Sequence, residues 1–208
     1  LFALFARPLV AALPEGAHMI ATSVAAPFLT PFKLAFVAAV FLAAPVLIHQ
    51  VWRFVAPGLY RHEKRLATPL LVSAIVLFYV GCAFAYFLVM PVVFGFLTAT
   101  VPEGVAMMTD ISHYLDFVLV LFLAFGLCFQ VPVAVVILVI LGVATPATLV
   151  RSRPYVIVGA FVVGAVLTPP DVLSQVMLAV PMCLLYEVGI LAARAITRDR
   201  EARAARSG

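Results

Sequence analysis

Charge is scarce in this chain. Asp, Glu, Lys and Arg make up 11% of its 208 residues, while 66% are apolar. Soluble domains carry about 25% charged residues, so this composition excludes a water-solvated globule and places the chain in a lipid bilayer. Cysteine is nearly missing. Cys82, Cys128 and Cys183 each lie inside an apolar stretch, and no Cys-x-x-Cys occurs. That spacing offers no thiolate metal site and reads as three small buried hydrophobes; nothing in it asks for a disulfide. His18, His49, His62 and His113 are scattered without metal-ligand spacing. Gly-x-Ser-x-Gly, His-Glu-x-x-His and the P-loop are all absent. These gaps argue against an enzyme, a metal and a cofactor. No basic run is interleaved with aromatics, so nothing points to nucleic acid. No internal repeat of about 20–50 residues occurs. The residues from Leu1 onward lack the basic, apolar and small-residue order of a signal peptide.

What is present is apolar and long. Five stretches read as membrane spans, at about 33–51, 67–90, within 117–150, 154–167 and 172–186. Only helices suit them, because lipid offers no hydrogen-bond partner to an open strand edge. The expected fold is therefore all-α, a polytopic membrane protein with five transmembrane helices. It forms a single transmembrane domain: an outer loop region 1–32, a helical bundle 33–192 and a cytoplasmic basic tail 193–208, the last of low complexity and expected to be mobile. The last two spans are short of the roughly 20 residues that cross a hydrocarbon core of about 30 Å, so either the bilayer thins beside them or polar ends extend them. Pro45, Pro69, Pro91, Pro132, Pro169, Pro170 and Pro181 lie in or beside the spans. Each interior proline bends its helix. Membrane helices tolerate such prolines, or together they curve the bundle into a concave wall.

Lysine and arginine set the orientation. Connector 52–66 holds Arg53, Arg61, Lys64 and Arg65, and connector 91–115 holds none. Arg151 and Arg153 follow in 141–153, none in 168–173, and the tail holds Arg194, Arg198, Arg200, Arg203 and Arg206. Basic residues stay on the cytoplasmic side, so the first and third connectors and the tail face the cytoplasm. Arg7 and Lys33 are exceptions to this bias. The net charge of +4 is thus orientation rather than a polyanion site. An odd number of spans leaves the amino end outside. The reading therefore expects a further helix before Leu1, giving six spans with both ends inside.

The block 51–65, VWRFVAPGLYRHEKR, concentrates the candidate chemistry. Pro57-Gly58 favours a turn, and Trp52, Phe54 and Tyr60 belong at headgroup level. Glu63 is the only carboxylate in a cytoplasmic connector between spans. A carboxylate takes a guanidinium through two parallel hydrogen bonds, which a lysine cannot reproduce. Alternatively Glu63 pairs with Arg61, Lys64 or Arg65 at a wet surface and contributes little. Two other classes of function stay open from the residues alone: a secondary transporter or proton-coupled channel, and a passive scaffold for other helices. A transporter needs ionisable groups at the midplane and usually internal repeats; here the midplane offers mainly Gln130.

Six blocks carry a resemblance: PFLTPFKLAF (27–36), APVLIHQVWRFVAPGLYRHEKR (44–65), FYVGCAFAYFLVMP (78–91), FGLCFQVPVA (125–134), RPYVIVGAFVVGAVLTPPDVLSQ (153–175) and PMCLLYEVGI (181–190). Together they resemble the TatC family, the six-helix core of the twin-arginine protein translocase, over nearly the whole chain. The resemblance implies a receptor in the bacterial cytoplasmic (inner) membrane. It would bind twin-arginine signal peptides of folded precursors and act with TatA- and TatB-type single-helix partners, in an oligomeric complex driven by the proton-motive force. It places signal-peptide binding at Glu63, with Phe54 adjoining. It puts partner binding at Thr168, Asp171 and Gln175, where Asp171 also suits a helix cap. Pro8 matches a functional proline of the first outer loop, which the residue alone explains as loop shaping. Tyr86 and Glu187 match further family positions; Glu187 is also explained as structural. Gln130 departs from the family, which commonly has Glu there. An amide keeps hydrogen bonding and loses the titratable proton, so a polar contact is expected in place of proton exchange.

Overall fold

A computed structural model describes residues 26–60, 64–99, 110–167 and 172–207. Its elements are helices: α1 (Ala26–Tyr60), α2 (Lys64–Phe84), α3 (Met90–Ala99), α4 (Ile111–Cys128), α5 (Val131–Ile140), α6 (Pro146–Arg151), α7 (Arg153–Leu167) and α8 (Val172–Ser207). Four apolar stretches are long enough to cross a membrane: Phe28–Phe54, Thr68–Phe96, Ile111–Ile140 and Gln175–Asp199. The fifth, Arg153–Val166, is shorter. All five expected spans are therefore present in an all-α polytopic fold.

Two expectations are corrected. The last span does not stop near residue 186. α8 runs 36 residues, and its apolar stretch Gln175–Asp199 covers 25, about 37 Å at 1.5 Å per residue. Glu187 lies within this helix and pairs with Arg153 at 2.6 Å. Among the described spans, only α7, with 15 residues or about 22 Å, remains short of the hydrocarbon core. The tail, expected to be of low complexity and mobile, is helical over residues 193–207 and continues α8.

Local sequence explains the breaks. A π-helical turn, Ala85–Val89, joins α2 to α3, and the Met90 N–H bonds to the Ala85 carbonyl five residues back. Pro91 follows at once. Its ring has no N–H and crowds the carbonyl four residues earlier, so the helix widens one turn ahead of it. Pro132 sits in the first turn of α5, where a missing N–H costs nothing, and the chain turns at 129–130 to reach it. α5 ends at Gly142, whose φ of +73° only glycine adopts freely. The Gly142 N–H bonds to Val139 and the Val143 N–H to Leu138, which satisfies the last carbonyls of α5. Thr145 then caps α6, its hydroxyl accepting the Thr148 N–H at 3.2 Å.

The chain divides into two compact units. One comprises residues 1–44 and 81–125, the other 45–80 and 126–208. In the first, Val89, Met90, Val93, Leu121 and Phe125 are fully buried. Aromatic pairs knit it: Phe41 and Tyr86 both lie against Phe122, and Phe94 lies against Tyr114 and Phe117. In the second, Trp52, Ala74, Val133, Val136, Ile140, Leu149, Tyr186 and Ile190 form the core. Two close approaches hold it. A Cβ on Gly189 would lie 2.9 Å from Pro132 Cα, and one on Gly126 would lie 2.6 Å from the Phe78 ring.

Candidate functional site: polar groups in and beside the spans

Glu63, Thr168, Asp171 and Pro8 lie outside the described residues. The remaining predicted residues are placed as follows. Near the end of α1, Trp52 is buried in the core of the second unit while Arg53 and Phe54 are exposed, Phe54 at 89%. Successive helix positions point about 100° apart, so anchoring Trp52 turns Phe54 outward. α1 ends at Tyr60 and α2 begins at Lys64, directly after Glu63.

Gln130 occupies the break between α4 and α5. Its Nε2 donates to the Ala74 carbonyl on α2 at 3.0 Å, with a longer contact to the Gly126 carbonyl at 3.5 Å. The break brings it there: the chain leaves the α4 helix at residues 129–130 because Pro132 must start a new one. The amide therefore makes a polar contact between two helices.

Glu187 accepts a hydrogen bond from Arg153 Nη2 at 2.6 Å, joining α8 to the start of α7. Gln175 donates its Nε2 to the Phe161 carbonyl at 2.8 Å and packs against Gly164. Those two contacts make α7 and α8 antiparallel. Tyr186 adds a third link, donating to the Leu149 carbonyl at 2.8 Å. Tyr86 stacks on Phe122 with centroids 6.4 Å apart, so its structural part in the first unit is aromatic packing.

Sequence reasoning missed both ion pairs. Lys33 reaches both oxygens of Asp116, at 2.7 and 2.8 Å. Lys33 had stood as an exception to the charge bias; a carboxylate on α4 neutralises it. Arg153 had counted as a connector charge, but it opens α7 and holds Glu187. Each partnership joins residues far apart in the chain, and only the presence of opposite charges on separate spans hinted at it. Among the described residues, no cluster of three His, Cys, Asp or Glu could hold a metal.

These features describe a polytopic bundle whose span interiors spend their polar groups on helix contacts. The family model for Sec-independent protein translocase protein (TatC) matches residues 1–181. The chain belongs to the TatC family. The TatC of Azotobacter chroococcum mcd 1 is 61% identical over 208 residues, covering 100% of this chain and 81% of that protein. The TatC of Escherichia coli strain K12 is 56% identical over 194 residues, covering 93% and 75%. A crystal structure of the twin-arginine translocase receptor TatC superposes with a TM-score of 0.81 at 38% identity, covering 94% of this chain and 86% of that one. The chain is therefore a multi-pass membrane component of a Sec-independent protein translocase, a system built of several Tat subunits. Family membership sets aside the transporter, channel and passive-scaffold alternatives.

Proposed function

We propose that this chain is the signal-peptide receptor of a twin-arginine translocase in the bacterial cytoplasmic (inner) membrane. The observation that carries the reading is the family match together with the fold shared with a solved twin-arginine translocase receptor. Glu63 takes a signal-peptide arginine bidentately, and Phe54, nine residues earlier in the sequence and exposed on α1, offers an apolar surface to the same peptide. Thr168, Asp171 and Gln175 bind TatA- and TatB-type single helices at the α7–α8 corner, and Pro8 shapes the first outer loop. Gln175 supports this part: its Nε2 is engaged by Phe161, and its Oε1 can accept from a partner in lipid. The complex is oligomeric and is driven by the proton-motive force.

A photo-reactive residue at position 54, which leaves the Glu63 carboxylate in place, tests the reading. It is expected to crosslink a twin-arginine precursor, and crosslinking should vanish when both arginines become lysines, because a lysine cannot make the paired hydrogen bonds. Glu63→Ala should weaken precursor crosslinking from position 54 while membrane insertion stays intact. Equal crosslinking of the di-lysine precursor would remove Glu63 from the recognition site.

A further inference from the structure

A cavity of about 270 Å³ lies between α7 and α8. Val156, Ile157 and Phe161 wall it on one side, Val180 and Leu184 on the other, and Arg153 with Glu187 closes one end. From Arg153 to Phe161 the cavity follows α7 for eight residues, about 12 Å. The centres of small atoms then have a mean cross-section of about 22 Å², and with an atomic radius of about 1.4 Å added on each side the groove is about 8 Å wide. A helix is about 10 Å across and cannot enter. One hydrocarbon chain can.

The closed end has the opposite chemistry. Arg153 gives Nη2 to Glu187, and its Nε is enclosed without an acceptor. A guanidinium offers five N–H donors, and leaving donors unfilled beside lipid is costly. The charged end also extends along α8. Glu187, Leu191, Arg194 and Arg198 are spaced by four, three and four residues, so they share one face of this continuous helix. Arg194 and Arg198 are exposed. Side chains on a helix tilt toward its N-terminus, which directs Arg194 back toward Glu187 and the cavity. Arg151, also exposed, lies two residues before Arg153. Arg153 thus lines the charged end of the cavity with Glu187, and Arg194 stands about 10 Å along α8 from Glu187.

We propose that the α7–α8 groove is a binding site for one anionic phospholipid, with an acyl chain along the bore and the phosphodiester on Arg153 and Arg194. An amphiphile complements this groove because the cavity changes from apolar to cationic along a single axis. The site does not depend on recognition of twin-arginine peptides, and its test involves no precursor.

The purified full chain in detergent is offered equal amounts of phosphatidylglycerol and phosphatidylcholine with identical acyl chains, and bound lipid is counted by native mass spectrometry. One basic side chain at an anionic headgroup supports about a fivefold preference, and the parent should favour phosphatidylglycerol by at least that. Arg153→Gln should reduce the preference by about fivefold or more, because it also leaves the Glu187 carboxylate unpaired beside the headgroup. Arg194→Gln, which leaves the ion pair with Glu187 intact, should reduce the preference by about fivefold. Ile157→Trp, which fills the bore from an exposed position, should lose both lipids. No preference in the parent would overturn the proposal. So would a preference that survives both arginine substitutions, or lipid retained by Ile157→Trp. A photo-reactive residue at 157 that captures a single-helix protein in native membranes, and no lipid, would assign the groove to that partner and overturn the proposal as well.

Discussion

Two glycines in the second unit predict opposite responses to the same substitution. At Gly189 a new Cβ would lie 2.9 Å from Pro132 Cα and 3.1 Å from Val135 Cβ. Carbon atoms rest at about 3.5–4.0 Å, so α8 must retreat from α5 by about 0.6–1 Å or the backbone must bend. The nearest atom belongs to backbone rather than to a flexible side-chain tip, which closes the inexpensive route. Overpacking of this kind costs about 1–3 kcal/mol. At Gly159, on α7, nothing lies within 4 Å of the same methyl. Both positions are helix interiors, where alanine gains about 0.5–1 kcal/mol over glycine. Subtracting one variant from the other cancels that gain and leaves the packing term. Gly189→Ala should therefore be less stable than Gly159→Ala by about 1–3 kcal/mol. Unfolding in a fixed detergent, followed by helical circular dichroism with the parent alongside, reads this difference; for a chain of this size each kcal/mol shifts the midpoint by about 2–4 °C. Equal stability of the two variants would refute the close α5–α8 contact as a constraint.

Three further outcomes follow from single contacts. Gly142→Ala should destabilise by about 1–2 kcal/mol, because a Cβ is strained at a φ of +73°; the same unfolding measurement checks it. Tyr186→Phe should cost about 0.5–1.5 kcal/mol, the net worth of one hydrogen bond, and no more, since the Ser152 N–H also reaches the Leu149 carbonyl. Gln130→Leu removes the donor to the Ala74 carbonyl and should lower export of a twin-arginine reporter at every pH. Gln130→Glu keeps a donor only while its carboxyl is protonated, so its export should fall toward the leucine level as pH rises, whereas the parent amide shows no such dependence at this position.

The spans were legible because lipid permits so few alternatives. A charge-poor run of sufficient length must be a helix, and the basic residues between runs separate one crossing from the next. The ends of helices were harder to read. The last span was drawn only to residue 186, and nothing local announces that Glu187 pairs with Arg153, 34 positions away. Pro91 announced a disturbance but not its kind, since a proline in a membrane helix allows a kink, a break or a widened turn, and the structure has the last. Gln130 was singled out as an intramembrane polar group, and its neighbour Pro132 marked the break that positions it. Its acceptor on α2 depends on how two helices pack, which spacing within either helix does not contain. Phe54 was read as an interfacial aromatic, and the burial of Trp52 explains its outward direction. Glu63, Thr168, Asp171 and Pro8 rest on family resemblance and on the tests that name them.

The distribution of polar groups also shows what holds the bundle together. In the second unit, Gln130, Gln175 and Glu187 each hold another helix, and in the first unit Lys33 holds Asp116. A group engaged in this way contributes to the geometry of the bundle, and breaking its contact exposes an unfilled donor or acceptor to lipid. Gln130 cannot take up or release a proton at all. Position 130 of this chain therefore offers hydrogen bonding and no proton exchange. Among the described spans, α7, about 8 Å shorter than the hydrocarbon core, is the crossing where the bilayer must adapt to the protein.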